Sequence, residues 1–519
     1  MREVLVEKNR YFDSVFLLRI SRELEDLPGV AKAVVAMGTP ANLETLERVG
    51  FVLDRSAQRP SPTDLVIAVD AASGDALAEA RSRLAELLVG SQGPASAAVA
   101  RPTTLAEAVT VDPAINLALI SVPGVYAARE AYRSLRRGLH VMLFSDNVSI
   151  DDEIALKDEA TGRGLLLMGP DCGTAILNGV PVGFANVVRR GSIGIAGASG
   201  TGIQEISSLV DRLGGGVSQA IGTGGRDLSE PVAARSTLAA IDALTDDPDT
   251  AVLVVVSKSP SPAVADLVLA RLRNAGKPAV VQFVAAPPRR AEENLSFAAT
   301  LDEAARDACR LAGVDLSEEP RLPKLSPVAF PPEQRSIRGL FCGGTLCQEV
   351  WGILRAAGLE VRSNVAADKR FQVGAEAATA GGTAVGGTAA DGHVLWDLGG
   401  DAFTVGRPHP MIEPDLRDRY VAAAGADPSV AVVLVDCVIG YGAHRDPARS
   451  LANAATEALA TARKAKRQLL VVASVTGTRR DPQDYGAQRR TLENAGIVVA
   501  ETNALAARCA AEIVQGGSQ

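Results

Sequence analysis

The sequence predicts an α/β protein throughout: a small N-terminal α/β unit, a Rossmann-like layer and two tandem flavodoxin-like domains. Three observations carry this reading. Short β-branched runs alternate with amphipathic stretches, the pattern of parallel strands joined by crossover helices. The turns between them are rich in Gly, Ser and Thr, as in G-A-S-G-T-G at 197–202. The last two stretches of the chain also match each other element by element.

Residues 1–97 read as the first unit. V-L-V-E-K is a strand. A helix carrying Phe16, Ile20, Leu24 and Leu27 follows and stops at Pro28-Gly29. A-K-A-V-V-A-M-G and D-L-V-I-A-V-D are further strands, and a Ser/Pro/Gly patch near 91–102 closes the unit. Residues 98–190 form the Rossmann-like layer, with strands at A-L-I-S-V-P, V-M-L-F-S and L-L-L-M-G-P. Their ends carry Pro123-Gly124, Ser145-Asp146-Asn147 and Gly169-Pro170-Asp171-Cys172-Gly173. Ligands of open parallel sheets sit outside the carboxyl ends of strands, so these turns should share one rim. Residues 191–319 are the first flavodoxin-like domain, 320–336 a Pro-rich linker, and 337–519 the second. An Ala/Gly/Thr-rich loop at 374–392 is left without regular structure.

The chain's 519 residues are 47% hydrophobic and 22% charged, with a net charge of −8. No basic face is evident, which argues against nucleic acid as a partner. No apolar run approaches a membrane span and the N-terminus lacks a signal-peptide core, so a cytoplasmic location is expected. Six scattered cysteines and four histidines show neither a disulfide framework nor a metal-ligand spacing, and no metal is expected.

The internal repeat is specific. Ser199-Gly-Thr-Gly-Ile-Gln-Glu205 corresponds to Gly343-Gly-Thr-Leu-Cys-Gln-Glu349, each after a strand and at the start of a helix. G-T-G-G-R-D-L (222–228) pairs with D-L-G-G-D-A-F (397–403), V-L-V-V-V-S (252–257) with V-V-L-V-D-C (432–437), and A-V-V-Q-F-V (279–284) with L-L-V-V-A-S (469–474). Glycines at a helix start let the backbone approach an anion. The first-turn N–H groups lack helical partners, and the helix dipole favours negative charge. Ser199, Gly200, Thr201 and Gly202 thus form one candidate anion cradle, and Gly343, Gly344, Thr345 and Leu346 its twin. No G-K-[ST] follows, so neither is a nucleotide P-loop. Gly224, Gly225, Gly399 and Gly400 lie on the adjoining turns. In G-R-P-H-P-M-I (406–412), Arg407 suits a carboxylate or phosphate, and His409 suits an oxyanion donor or proton carrier. The alternative is a Pro-braced surface loop. Asp401 is either an orienting group or a turn residue. Arg226-Asp227 is either a surface pair or a substrate contact.

Together G-P-D-C-G (169–173), G-F-A-N (183–186), I-G-I-A-G-A-S-G-T-G-I-Q-E (193–205) and G-T-G-G-R-D-L-S (222–229) resemble the succinyl-CoA synthetase α-subunit superfamily. F-D-S-V (12–15), M-G-T-P-A-N (37–42) and F-C-G-G-T-L-C (341–347), with the 406–412 segment, resemble its FdrA-type members more narrowly. The resemblance implies a CoA-binding-type layer at 98–190 and CoA as a candidate cofactor. It also implies a catalytic orienting role for Glu205, which follows S-G-T. The family's active-site His segment is replaced by V-A-A-P-P-R-R-A-E-E-N-L-S-F-A-A-T (284–300), which contains no His. No segment remains for an ATP-grasp domain, so partner subunits are expected. FdrA-type proteins are associated with carbamoyl transfer in purine-derived nitrogen catabolism, interconverting oxalurate plus phosphate with oxamate plus carbamoyl phosphate. The expected partners are therefore small anions, phosphate and carboxylate, and other subunits of one complex. An acyl-CoA ligase subunit and a non-catalytic metabolite-binding scaffold are the alternatives.

Overall fold

The computed structural model describes residues 1–10, 12, 14–51, 60–90, 102–287, 289–316, 319–324, 328, 330–374, 392–404 and 408–516. Arg407, most of the 374–392 loop and nearly all of the 91–102 patch lie outside the described residues.

Residues Met1–Val111 form one unit. Strands β1 (Arg2–Glu7), β2 (Val30–Met37) and β3 (Leu65–Ala71) pair antiparallel in the order β1-β3-β2. Leu17, Ile20 and Leu24 of the Ser14–Glu25 helix recur at helical spacing and bury against Val35, Ile67 and Val69 of the sheet. Thr39 caps the Pro40–Arg48 helix by accepting from Asn42 N, with Pro in the first turn where its missing N–H costs nothing.

Residues Asp112–Gln519 form the second unit. The expected linker at 320–336 therefore joins two parts of one compact body. Strands β4 (Leu117–Ile120), β5 (His140–Leu143) and β6 (Leu167–Met168) make a small parallel sheet. Strands β7 (Thr174–Leu177) and β8 (Val180–Gly183) leave it. They form a hairpin at the edge of the next sheet, where β7 pairs antiparallel with β10. That sheet continues with β9 (Arg190–Gly197), β10 (Val217–Gly222), β11 (Val252–Lys258), β12 (Ala279–Val284) and β13 (Leu295–Phe297). Its order is β13-β12-β11-β9-β10-β7-β8. The third sheet holds β14 (Ser336–Phe341), β15 (Val361–Ser363), β16 (His393–Asp397), β17 (Val430–Val438), β18 (Leu470–Thr476) and β19 (Val498–Ala500). Its order is β15-β16-β14-β17-β18-β19.

Leaving aside the edge strands, both large sheets share one path: β10-β9-β11-β12-β13 and β16-β14-β17-β18-β19. This is the doubly wound order of a flavodoxin-like unit, with the crevice where the order reverses. The strands are nearly continuous apolar runs, buried along their length as parallel strands require. The repeats are fused through one core. Ile203, Ile206 and Val210 of the Gly200–Arg212 helix cluster with Leu346, Val350 and Leu354 of the Gly344–Ala356 helix. The two helices the repeat predicts are thus packed together at the centre of the unit.

Candidate active site

The carboxyl ends of all three parallel sheets converge on one cavity of about 530 Å³. Ser145, Asp146 and Asp171 come from the small sheet's turns, Lys258 from the end of β11, and Asp397 from the end of β16. Of the three turns expected to share the rim, 145–147 contributes Ser145 and Asp146 and 169–173 contributes Asp171, Cys172 and Gly173, while Pro123-Gly124 does not line the cavity and Ser121 and Val122 do.

Both helix N-termini open into this cavity. Ser199 caps its helix by accepting from Gly202 N at 2.9 Å, and its hydroxyl meets Thr345 Oγ1 at 2.5 Å. The two cradles therefore face each other within one chain. Ser199, Gly200, Thr201, Gly344, Thr345, Gly224, Gly225, Gly399, Gly400 and His409 all line the cavity. Gly224 has φ +90°, and a side chain there would strike the carbonyl of Pro170. Gly202 lies beneath the cap, and Leu346 belongs to the shared core rather than to the cavity. Leu346 therefore offers no anion contact through its side chain, because its position on the helix faces the other repeat.

The cradles are not equivalent. Asp436, at the end of β17, accepts from Cys342 N at 2.8 Å and Gly343 N at 2.7 Å. Asp397 Oδ2 lies so close to Gly344 that a Cβ there would be 2.5 Å away. The second cradle is thus partly filled by the protein's own carboxylates, and Gly343 is spent on Asp436. In the first repeat Val256 stands where Asp436 does. Among the described residues, the N–H groups of Gly200 and Thr201 have no partner, and neither do those of Gly344 and Thr345. The first cradle is the more open one because, among the described residues, no carboxylate stands against its helix start.

Lys258 is the one Lys or Arg among the described lining residues. Four carboxyls share the cavity with it. Burial raises Asp397 to about 6, with Lys258 and the Gly399 N–H at 2.9 Å opposing. Asp171 reaches solvent at the mouth, yet desolvation by the walls and the nearby Asp401 and Asp146 raise it to about 7. Both are poised to hold or release a proton near neutrality. Binding of an anion of fixed charge should therefore weaken as pH rises through this range and the carboxyls ionise. Sulfate affinity by calorimetry is expected to fall roughly tenfold between pH 5.5 and 8, and Asp171→Asn should flatten most of that dependence.

His409 packs on Phe184, ring centroids 5.9 Å apart, and burial lowers its pKa to about 4. It is neutral at physiological pH. Its Nδ1 accepts from Met411 N at 3.2 Å, which leaves the proton on Nε2. That nitrogen occupies the space a side chain on Gly399 would take. His409 is therefore a neutral donor in the cavity.

Glu205 does not line the cavity. It lies about 6 Å further along the helix than Thr201, and its carboxylate accepts from Thr476 Oγ1 at 2.5 Å and Asn503 N at 3.5 Å. Its repeat partner Glu349 accepts from Leu301 N at 2.6 Å and Asn503 Nδ2 at 2.7 Å. Each glutamate thus caps a helix of the other repeat. Burial raises both, Glu349 to about 8. The geometry replaces direct contact by Glu205 with a positioning role. Arg226 and Asp227 are likewise structural: Asp227 is held in a buried network with Lys157 and Glu153, and the half-exposed Arg226 closes it from outside. Cys172 lines the cavity, but burial pushes its thiol up to about 12, too high for a nucleophile.

Lys258, Asp171 and Asp397 were not singled out by sequence. The available signal was their place at strand ends; Asp171 and Asp397 stood in the G-P-D-C-G and D-L-G-G turns already quoted.

Two tandem flavodoxin-like sheets with paired glycine-rich helix starts define an acyl-CoA synthetase-like protein. The CoA-ligase family model matches residues 340–513, the CoA binding domain model 188–285, and the AllF heavy metal-associated domain model 1–102. The chain is 41% identical over 527 residues to "Uncharacterized protein YahF" of Escherichia coli (strain K12), covering 100% of this chain and 99% of that protein, and it belongs to the same family. It is 26% identical over 155 residues to the "Succinate--CoA ligase [ADP-forming] subunit alpha" of Methanothermobacter thermautotrophicus, covering 29% of this chain and 52% of that protein. Among solved structures, the dinucleotide forming acetyl-coenzyme A synthetase 1 of Ca. Korarchaeum cryptofilum matches with 15% identity and a TM-score of 0.31, over 78% of this chain and 83% of that one. The CoA binding domain match falls on β9–β12, whereas the expectation put a CoA-binding-type layer at 98–190.

One group implied by these families does not fit the residues present. Residues 1–102 contain neither Cys nor His, the soft ligands a heavy metal needs. Among the described residues no helix is long and apolar enough to cross a membrane.

Proposed function

We propose that this chain is the anion-handling subunit of an enzyme that transfers a carbamoyl group between a small carboxylate-bearing amide and free phosphate. Oxalurate plus phosphate giving oxamate plus carbamoyl phosphate is the specific reaction. The observation that carries the proposal is the meeting of two helix N-termini in one cavity, one open and one held by internal carboxylates.

In this reading phosphate sits at the N–H groups of Gly200 and Thr201, with Lys258 supplying the charge. A phosphate oxygen attacks the carbamoyl carbon of oxalurate, and the bond from that carbon to the oxamate nitrogen breaks. His409 Nε2–H donates to the carbonyl oxygen as charge builds there. Asp171 or Asp397, each near neutrality, gives the departing nitrogen its proton. No group on the protein is covalently modified; catalysis rests on positioning and charge stabilisation. Arg407 is proposed to meet the substrate carboxylate. The resemblance to FdrA-type proteins supplies the identity of the substrate.

The test is to purify the chain with its copurifying subunits and assay carbamoyl phosphate with oxamate. Formation of oxalurate is expected, and its absence in the intact complex sinks the substrate assignment. Lys258→Ala should lower kcat/KM about 10- to 100-fold, the value of a charge-assisted contact, mostly through the KM for phosphate. Unchanged kinetics would remove Lys258 from the site.

A further inference from the structure

A second cavity, of about 820 Å³, shares no lining residue with the first. It is walled by the end of β12 and the residues that follow it, the later turns of the Gly344–Ala356 helix and the last turns of the Asn503–Gln515 helix. Phe283, Phe297, Trp351 and Ile353 make its surface apolar. Arg289, Arg355 and Arg508 bring three guanidinium groups to it.

The acidic groups do not cancel this charge. Glu349 turns its carboxylate onto Leu301 N and Asn503 Nδ2, and burial raises it to about 8, so it is largely neutral at pH 7. Glu512 is the other carboxyl in the lining. Arg355 stacks 4.0 Å above Phe371 and donates to the Leu359 carbonyl, so its charge is held in place, with Asp368 a charge neighbour but not a hydrogen-bond partner. Arg508 pairs with Glu303 at 3.4 Å in a half-exposed ion pair, which solvent weakens.

The repeat offers an internal comparison. Leu209 and Arg212 correspond to Ile353 and Ala356 through the matched helices. There the space is smaller, about 450 Å³, and the Arg212 guanidinium stacks 4.9 Å from the Tyr485 ring. Among the described residues the first repeat has no helix in the place of Tyr485–Asn494. The larger apolar volume is therefore a departure from the repeat.

We propose that this second cavity binds a small amphipathic carboxylate, an aliphatic or aryl acid with its apolar body against Phe283, Phe297 and Trp351 and its carboxylate at Arg289 and Arg508. The volume is that of a small-molecule site enclosed by several elements. The charge calls for an anion, and the walls call for an apolar body larger than oxamate or phosphate. The proposal is independent of the reaction assigned to the first cavity.

Trp351 reports occupancy directly, because the chain has 2 tryptophans and Trp396→Phe leaves it alone. In that background octanoate should quench the fluorescence saturably, with a dissociation constant below about 1 mM. Octanamide, the neutral counterpart, should bind at least about tenfold more weakly. The Arg289→Gln/Arg508→Gln double variant, both on exposed side chains, should weaken octanoate by a similar factor. Lys258→Ala, in the first cavity, should leave octanoate binding unchanged. No saturation by about 10 mM octanoate, equal binding of octanamide, or loss of binding in Lys258→Ala would each overturn the proposal. So would protection of Trp351 by a copurifying subunit without any octanoate binding, which would make the cavity a protein interface.

Discussion

Replacing Lys157 with methionine is expected to destabilise the second unit by about 3–5 kcal/mol, the cost of stranding a buried charge by removing its partner. Lys157 is 1% exposed and Glu153 and Asp227 are both 0% exposed. The ammonium lies 2.6 Å from Asp227, 2.9 Å from Glu153 and 3.1 Å from the Thr223 carbonyl. Arg226 closes the network at 2.9 Å from Glu153 and donates to the Val148 carbonyl at 2.7 Å. Asp227 is further held by Ser236 N and by the N–H and hydroxyl of Thr237. Without Lys157, two carboxylates remain in the interior with a shared partner missing. The methylene stem of methionine preserves packing, so the loss isolates the charge. Urea denaturation followed by circular dichroism measures it. A triple replacement of Lys157, Glu153 and Asp227 by apolar residues of similar size should recover much of the stability. A change below about 1 kcal/mol in the single variant would mean that the network is solvated and of the surface kind. Activity should fall as well. The network joins the Ile150–Gly162 helix to the turn after β10, which carries Gly224 and Gly225 into the cavity.

This network marks a boundary in what the sequence discloses. Lys157 sits in a charge-rich helix, and nothing local distinguishes it from Lys or Arg residues that point outward. Its burial is set by Asp227, 70 positions along the chain. The repeat, by contrast, was legible because it is built from local signals: strand, glycine-rich turn, helix, in order and at constant spacing. The shared path of the two sheets follows from it. Ser199, Thr201, Thr345 and the paired glycines reach the cavity because a helix start must lie at a strand's carboxyl end. Glu205 was misplaced because its partners, Thr476 and Asn503, belong to the other repeat, and a helix position does not say which neighbour it will face. Asp397 and Asp436 were missed for a related reason. Each lies near a helix start that is its neighbour only across the sheet, so the closing of the second cradle is a tertiary event.

That closing gives the two halves different tasks. The first helix start has no carboxylate against it and opens into the cavity that Lys258 lines, so it suits an incoming anion. The second sets a carboxyl, raised to about 6 by burial, near the end of a helix. Two strand-end differences, Asp436 where the first repeat has Val256 and Asp397 where it has Gly222, break the symmetry of the paired cradles; under the proposed reaction one becomes an acceptor site and the other a proton-handling site. A pocket binding two anions in opposite protonation contexts needs such a division. Identical cradles would hold both substrates equally well and favour neither direction of proton transfer.

His409→Phe is expected to lower kcat about 10²- to 10³-fold, the range for loss of one oxyanion donor, while phosphate affinity changes little. Phenylalanine keeps the packing on Phe184 and removes the Nε2–H, together with the Nδ1 that accepts from Met411 N. The tautomer decides between two roles for this side chain. A histidine that carries a phosphoryl group on Nε2 needs that nitrogen unprotonated. Here the Met411 N–H points at Nδ1, so the proton is on Nε2, and burial that lowers the pKa to about 4 keeps the ring from taking a second one. This imidazole therefore offers a donor and no nucleophile. It follows that radiolabelled phosphate or carbamoyl phosphate should leave no acid-labile phosphoprotein, whereas a phosphohistidine relay through His409 would produce one. His409→Asn, which keeps an N–H near the same place, should recover more activity than His409→Phe. Gly399→Ala supplies a test that leaves the imidazole in the chain, since the new methyl would occupy the position of Nε2 and turn the ring aside. Its kcat should fall with that of His409→Phe. Full activity in both variants would take His409 out of the chemistry and leave it a packing residue beneath Phe184.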